Sequence, residues 1–559
     1  MKNKDSFLFR NLPAIKYKDS IILYDYFQSK IARVPLKDFK KENLPDLRYF
    51  GVPKQKIFNP KKSVLTLILN RECNMRCIYC FAEGGGKEIL SKKCISAALR
   101  KVIKPETEEV LITFFGGEPT LCYDEIVFTV NEANKYPVKK QFAISTNGAM
   151  SKKMFDFLIK NNFAFNFSMD GLPEVQNKQR PLLNGAPSSE IVENTLKELI
   201  KNKMSFKVRV TITKDSVKKM PEMVKYLAKF GVKYIHLEVV NVSGRAEKLK
   251  IKKPPVNEFI KQFKECSELA KKLNVSLVNG VYTNLIEPSI HSCSAVTGGK
   301  LIITPEGNVS RCYEVQDKKH PYSDMFIVGK YNPFIDDFEF DNEKVKTLCN
   351  RNSETNKICE NCFAKYICSG GCVIRNLHGL HSKDIGEIDP YQCKLIKALL
   401  KDAILRIYEN SIIKNNGRIR LLKNNDWVTV KPWLYELAKE SFGKVVPSIL
   451  NKKIREDYQK EPEGFIVSED GSSKKLNGLL WFSTFPEKKS VFIHAIYVNP
   501  TYRGKGVSDS LMDYLEEYCK KKDLENIELN VTVGLDYALR FYQRRGFEIK
   551  RYFMGKKVK

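Results

Sequence analysis

Between about residues 61 and 245 the chain alternates between two hydrophobic periods. Strand-like runs lie at KSVLTLILN near 63–70, EEVLITFFG near 108–116, FAISTN near 142–147, FAFNFSMD near 163–170, FKVRVTIT near 206–213 and KYIHLEVV near 233–240. Segments of helical period, such as SKKCISAALRKVI and EIVENTLKELIKNK, separate most of them. Repeated βα units predict an α/β fold with a parallel sheet and helices outside it, open or curled into a partial barrel. In such folds the working residues sit at the carboxyl ends of the strands.

Cysteine narrows the reading. The chain has 15. Its first residues, MKNKDSFLFRNLPAIKYKDS, contain no apolar segment of the signal-peptide kind, and no apolar run approaches a membrane span. A cytoplasmic protein is therefore expected, and clustered cysteines there are metal ligands or catalytic groups rather than disulfides. Cys94, Cys122, Cys266 and Cys519 stand alone and are expected as small buried hydrophobes. The others fall in two territories. In the first, Cys73-x3-Cys77-x2-Cys80 follows the first strand of the array, with Tyr79 beside the last thiol. Three thiolates in one loop suit three irons of a [4Fe–4S] cluster with the fourth left open, whereas a structural zinc site asks for four protein ligands.

This region, 61–245, resembles the core of the radical S-adenosylmethionine (SAM) superfamily, a partial (β/α)6 barrel. The resemblance extends to Gly116, Gly117 and Glu118 of FFGGEP, to Ser145 and Asn147 of STNG, to Ser168 and Asp170 of FSMDG, and to Arg209 of VRVTI. It implies that the glycine-rich turn meets the SAM amino group, with the Glu118 carboxylate matched to an ammonium. It also implies that Ser145, Asn147, Ser168 and Arg209 serve the ribose and carboxylate. The implied chemistry is reductive cleavage of SAM to a 5′-deoxyadenosyl radical that abstracts a substrate hydrogen. Asp170 is carried forward as a candidate general base.

The second territory reads Cys293-x13-Gly307-x4-Cys312, then Cys359-x2-Cys362-x5-Cys368-x3-Cys372, then Cys393. Periodic elements are short here, and a region nucleated by metal is expected over 246–408. The seven cysteines resemble the SPASM extension of radical SAM enzymes. By position, the resemblance implies one auxiliary [4Fe–4S] cluster on Cys293, Cys312 and Cys372, and a second on Cys359, Cys362, Cys368 and Cys393. With the SAM-binding cluster that makes three. The fourth ligand of the first auxiliary cluster stays open among Cys349, His291 and a substrate group.

ENSIIKNNGR, 409–418, reads as a linker, and 418–559 as a further α/β domain. There FIHAIYVNP runs into YRGKGVSDSL and a helical pattern, then ALRFYQRRGFE. This resembles a GCN5-related N-acetyltransferase (GNAT). The acetyl-CoA loop would be Arg503, Gly504, Lys505, Gly506, Val507 and Ser508, with Ser508 in place of the usual last Gly or Ala. Backbone N–H groups at a helix start suit a pyrophosphate. Tyr542 matches the acid that reprotonates the CoA thiolate; Leu535 stands where Asn is common. Glu528 and water remain as candidates for the base.

Lys and Arg number 95 against 65 Asp and Glu, a net charge of +30, with lysine scattered over most of the chain. A generally basic surface is expected rather than a dedicated nucleic-acid site. The two resemblances together imply a bifunctional maturase of a ribosomally made precursor peptide, modifying it by radical chemistry and N-acylating it, fed by a low-potential donor such as flavodoxin or ferredoxin. Residues 1–60, with one hairpin-like stretch, would help grip the peptide. The alternatives are a tRNA-modifying enzyme resembling the elongator catalytic subunit, and a sulfatase-type maturase with an inert GNAT-like domain.

Overall fold

The structure is a computed structural model. It describes residues 6–9, 12–18, 20–25, 30–35, 61–281, 285, 288–415, 419–442, 445–471, 473–503, 506–531, 536–545 and 547–549. Its contacts divide the chain into two compact units, the larger including Tyr49–Ala403 and the smaller including Ile404–Lys559.

Near the amino terminus Ser6–Phe9 (β1) and Leu12–Tyr17 (β2) form an antiparallel hairpin, and Ser20–Asp25 (β3) and Lys30–Pro35 (β4) follow. The array then forms as its periodicity predicts. Its strands are Lys62–Ile68 (β5), Glu109–Phe115 (β6), Lys139–Thr146 (β7), Ala164–Ser168 (β8), Phe206–Ile212 (β9) and Tyr234–Val239 (β10). They lie side by side, all parallel. Helices Lys92–Val102 (α1), Tyr123–Ala133 (α2), Lys152–Lys160 (α3), Pro173–Gln179 (α4), Ser189–Lys201 (α5), Met220–Lys229 (α6) and Val256–Lys272 (α7) connect or follow them. Starts are set locally: the Ser91 and Ser151 hydroxyls accept the backbone N–H of Cys94 and Met154.

Side chains alternate across each strand. On β6, Val110, Ile112 and Phe114 are buried, while Leu111, Thr113 and Phe115 on the opposite, inner face keep partial exposure. Phe114 packs on Phe163, one of several wholly buried rings. Each such ring is worth about 1.5–3 kcal/mol in apolar burial. Cys94, Cys122, Cys266 and Cys519 are buried, as their isolation in the sequence implies.

The sheet does not stop at six strands. Ser276–Val278 (β11) joins β10, and Leu301–Ile303 (β12) joins β5 in parallel. Asn308–Ser310 (β13), Ile327–Asn332 (β14) and Asp337–Phe340 (β15) continue it in antiparallel fashion to eleven strands. Part of the cysteine-rich territory is therefore held by main-chain pairing to the barrel edge, beyond what its short apolar runs suggested. Val373–Leu380 (α8) precedes a helix at Pro390–Asn415 (α9). That helix runs through most of the stretch expected as a linker, because no Gly or Pro interrupts it before Gly417.

In the smaller unit Ile419–Leu421 (β16), Phe465–Glu469 (β17), Leu476–Phe485 (β18), Ser490–Val498 (β19) and Asn526–Leu529 (β20) lie in that order. Only β19–β20 is parallel. Trp427–Phe442 (α10) and Pro447–Lys460 (α11) cover one face, packing Val430, Trp433 and Ile454 on Val467, Leu479 and Trp481. Val507–Lys521 (α12) covers the other, with Leu511 and Leu515 on Leu480 and Phe482. Asp536–Arg544 (α13) follows β20.

Candidate functional site

Beyond the carboxyl end of β5 the backbone of residues 70–72 presses against the Gly116–Gly117 turn that ends β6. Gly117 N–H donates to Asn70 O at 3.0 Å, and Glu118 N–H to Glu72 O at 2.8 Å. A Cβ on Gly117 would stand 2.2 Å from Glu72 O, so only glycine admits this approach. The turn is thus stitched to the loop that carries Cys73, Cys77 and Cys80.

Glu118 departs from the expectation. Its side chain is turned inward and 1% exposed. One oxygen accepts from Thr120 N (3.1 Å), Thr120 Oγ1 (2.7 Å) and Thr146 Oγ1 (2.8 Å), and the other from Asn147 N (2.7 Å). Burial raises its pKa, and these donors work against that rise. The carboxylate expected to face an ammonium instead ties the end of β6 to the end of β7.

Asp170 departs likewise. It is 0% exposed. Gln179 Nε2 donates to it at 2.7 Å, Thr211 N at 2.9 Å, and Arg180 Nε lies 3.1 Å away. The Tyr79 hydroxyl donates to the same carboxylate, and Arg180 lies 5.2 Å over the Tyr79 ring. With both oxygens engaged, Asp170 is a hub holding the cysteine loop rather than the free base expected from FSMDG.

Asn147 lies where a ligand to the loop is useful. Its Nδ2 donates to Asn74 Oδ1 at 2.8 Å and to Cys73 Sγ at 3.6 Å, and Met75 N reaches the same sulfur at 3.4 Å. Two N–H groups on one sulfur favour its thiolate. Burial pushes the free Cys73 and Cys77 thiols up to about 12 and about 11, so a cation that displaces their protons relieves the desolvated anion. Arg245, unremarked in the sequence, clamps the loop: its Nη1 donates to Cys77 O at 2.7 Å and its N–H to Cys80 O at 3.0 Å.

Ser145, Ser168 and Arg209 lie on the inner face of β7, β8 and β9. Asn166 Nδ2 donates to Ser145 Oγ at 3.4 Å, and Ser168 lies opposite Arg209. Arg209 keeps solvent access, yet desolvation lowers its pKa; Glu238 and Glu314 pull the other way, and Arg375 and Arg180 add to the lowering. Across the same lumen Arg375 Nη1 meets Glu238 Oε1 at 2.8 Å, and Asn241 Nδ2 donates to Glu314 Oε2 at 2.8 Å.

The later cysteines are perturbed by burial and by one another. Cys312 is raised by burial first, then by Glu314, Cys372 and Cys293. Cys368 is pushed up to about 12 by burial, then by Cys362, Cys359 and Cys393. Arg351 holds the loop between the sets, donating to the carbonyls of Ser369 (3.0 Å), Gly370 (2.6 Å) and Gly371 (3.1 Å). Cys349 donates to Val296 O at 3.4 Å, and His291 Nε2 lies 2.7 Å from Cys349 O. Among the described residues no three His, Cys, Asp or Glu side chains are arranged to hold a single metal ion. The fit of these thiols to clusters therefore rests on donor chemistry and grouping.

In the smaller unit β18 pairs Trp481 with Ala495 and Phe482 with Ile493, leaving His494 as a bulged extra residue on β19. Strand β20 accompanies β19 only from Ser490 to Ile493. Among the described residues no strand pairs with Ala495–Val498 on that side. After β19, Asn499 Oδ1 accepts Thr501 N (3.1 Å) and Arg503 Nε donates to Val498 O (3.2 Å). Gly506 takes φ +79° and caps α12, whose first residues are Val507 and Ser508. Gly504, Lys505 and Leu535 lie outside the described residues. Tyr542 is 7% exposed, edge-on to Phe541 and Phe547. Glu528 is exposed on β20.

His494 is the residue that the alternating pattern of FIHAIYV conceals. Its Nε2 is 2.8 Å from Ser483 Oγ and 3.9 Å from Asp457 Oδ2, and its ring lies 4.8 Å from Trp481. Burial lowers its pKa, against the pull of Asp457.

The family model of the radical SAM superfamily matches residues 67–215, and that of the acetyltransferase (GNAT) family matches residues 433–547. An uncharacterised protein of Methanocaldococcus jannaschii is 26% identical over 256 residues, 45% of this chain and 84% of its own. A cysteine-type anaerobic sulfatase-maturating enzyme of Clostridium novyi is 20% identical over 338 residues, 56% of this chain and 87% of its own. The solved structure described as native anSMEcpe with bound AdoMet and Cp18Cys peptide shares the fold at a TM-score of 0.51 and 21% identity, over 63% of this chain and 99% of that one. Among the described residues no helix is long and apolar enough to cross a membrane.

Proposed function

The chain carries a radical SAM domain and a carboxyl-terminal GNAT domain, and from that premise we propose a bifunctional maturase that modifies a ribosomally made peptide by radical chemistry and N-acetylates it. One observation supports the reading: Arg375, three residues after Cys372, donates to Glu238 on β10 at 2.8 Å, and Asn241, just past β10, donates at 2.8 Å to Glu314, two residues after Cys312. On this reading the second cysteine territory would lie against the carboxyl end of β10 and serve the same lumen as the first.

Cys73, Cys77 and Cys80 would hold the SAM-binding [4Fe–4S] cluster, with Cys293, Cys312 and Cys372, and then Cys359, Cys362, Cys368 and Cys393, holding two more. The first would supply one electron to SAM and yield the 5′-deoxyadenosyl radical. The chain's own part is positional. Asn147 and Met75 steady the Cys73 sulfur, Asp170 fixes Tyr79, Arg245 closes the loop, and the Arg375–Glu238 pair keeps a charged lumen wall in place. A low-potential flavodoxin or ferredoxin would supply the electron.

In the GNAT domain the edge left open along Ala495–Val498 suits the amides of a pantetheine arm, and the start of α12 after Gly506 suits its pyrophosphate. His494, at the bulge of β19 and 3.9 Å from Asp457, would take the proton of an incoming amine. Tyr542 would return a proton to the CoA thiolate.

The test is anaerobic reconstitution with iron and sulfide, then incubation with SAM, dithionite, acetyl-CoA and the precursor peptide encoded beside the gene. The reading requires 5′-deoxyadenosine together with a changed peptide mass, including an added acetyl group. A second reading, favoured by the sulfatase-maturating relative, is oxidation of a peptide cysteine to formylglycine with an inert GNAT domain. Formylglycine on a sulfatase-derived peptide, without acetyl-CoA binding, would select it.

A further inference from the structure

A pocket of about 310 Å³ opens at the amino-terminal side of the sheet, away from the cysteine loop. Ser63 and Val64 begin β5 there, Leu301 begins β12, and Arg311 follows the antiparallel β13. The segment from Lys101 to Thr107 completes it, between α1 and β6. The cysteine loop leaves β5 from the opposite end.

Four cations line this pocket, Lys101, Lys104, Lys300 and Arg311, against one carboxylate, Glu106. Two of the cations are engaged: Lys101 pairs with Asp337 at 3.0 Å, and Lys300 donates to the Tyr313 hydroxyl at 3.4 Å. Arg311 is different. It is 7% exposed, its Nε is buried with no hydrogen-bond partner, and among the described residues no carboxylate forms an ion pair with it. Its guanidinium lies against Gly298, where a Cβ would come 3.2 Å from Nη1. Arg311 precedes Cys312 in the chain, yet none of the cysteines lines the pocket. A buried guanidinium without an anion is strongly unfavourable, and a concave pocket around one is prepared for a negative charge. Val102, Leu301 and Phe340 give the same pocket an apolar wall.

We propose that this pocket binds a small organic anion bearing a phosphate or comparable oxyanion, anchored by Arg311, met by Lys104, and with its apolar part against Phe340. The pocket's lining includes no cysteine and no residue of the acetyltransferase domain.

The test uses the full chain, reconstituted anaerobically, in low-salt chloride buffer, titrated calorimetrically with phenyl phosphate. Saturable binding should weaken at least about tenfold in Arg311→Gln, which is about 1.4 kcal/mol, with iron content unchanged. Arg311→Lys should keep part of the affinity. Phosphate binding elsewhere is common to all variants and cancels in the comparison. Without ligand, Arg311→Gln should melt no lower than the wild type, since it removes an uncompensated buried charge, and should lose most of the ligand-dependent rise in Tm. Exposed Lys104→Gln, which leaves the core alone, should weaken binding about threefold by the same Coulomb argument and decides the matter if Arg311→Gln misfolds. Absence of saturable binding to the wild type, or equal binding by the wild type and the variants, overturns the proposal.

Discussion

Glu118 and Asp170 carry the residue-scale lesson. Both are carboxylates at strand ends, where a family resemblance places SAM contacts or a base, and both are consumed by donors of their own chain. Residue type and strand position are visible in a sequence; the convergence of donors from β7, β9 and α4 is not. The geometry makes a distinguishing prediction. In Glu118→Gln one of the two backbone N–H groups, of Thr120 or Asn147, loses its acceptor, and an unsatisfied buried donor costs about 1–3 kcal/mol. Denaturant unfolding should register that loss, while SAM affinity, measured calorimetrically on iron-loaded protein, should change by less than about threefold, under about 0.7 kcal/mol. Unchanged stability with a large loss of SAM affinity would return Glu118 to the ammonium. A parallel expectation holds for Arg180→Gln. It strips the buried Asp170 of its cation, so the loop should lose iron, read as a lower iron-to-protein ratio at constant thiol count.

At the scale of elements the six parallel strands were legible because their apolar runs and the intervening helical periods were long and unambiguous. The four strands β12–β15 were less so, since three of them have four residues or fewer and depend on a partner already in place. The bulge in β19 was invisible for a related reason: FIHAIYV alternates cleanly, and its register shift exists only against β18. That shift governs the acyl-transfer reading. His494 faces Ser483 on β18 and Asp457 on α11, with Lys453 and Glu461 nearby. Desolvation lowers its pKa below the ordinary value near 6.5, Lys453 assists, and Asp457 and Glu461 oppose. A base works when unprotonated, so lowering its pKa moves the acid limb of the profile to lower pH. The kcat/KM for acetylation should therefore fall only below about pH 6.5. His494→Gln should flatten that limb and reduce kcat by about 10²–10⁴, with acetyl-CoA affinity retained. A variant that keeps the acid limb would assign it to another group.

At the scale of the whole molecule, two cores of different kinds share one chain. The smaller unit is closed by apolar packing on both faces of its sheet, and those clusters draw only on residues 419–547. The larger unit has an apolar barrel wall, yet it also carries clustered thiols, with Cys73, Cys77, Cys368 and Cys372 pushed up by desolvation to between about 11 and about 12. Such thiols hold their protons at neutral pH. Metal must displace those protons, and the anions it binds then become stabilising rather than costly. Iron loading should accordingly release protons and raise the stability of the larger unit alone. Scanning calorimetry of the reconstituted protein should resolve two transitions. An iron chelator should lower one by several degrees, as expected for a change of a few kcal/mol, and leave the other in place; acetyl-CoA should raise only the second. A single transition that moves as a whole under both ligands would mean that the cores do not unfold separately, and the assignment of iron to one and acyl transfer to the other would lose its thermodynamic support.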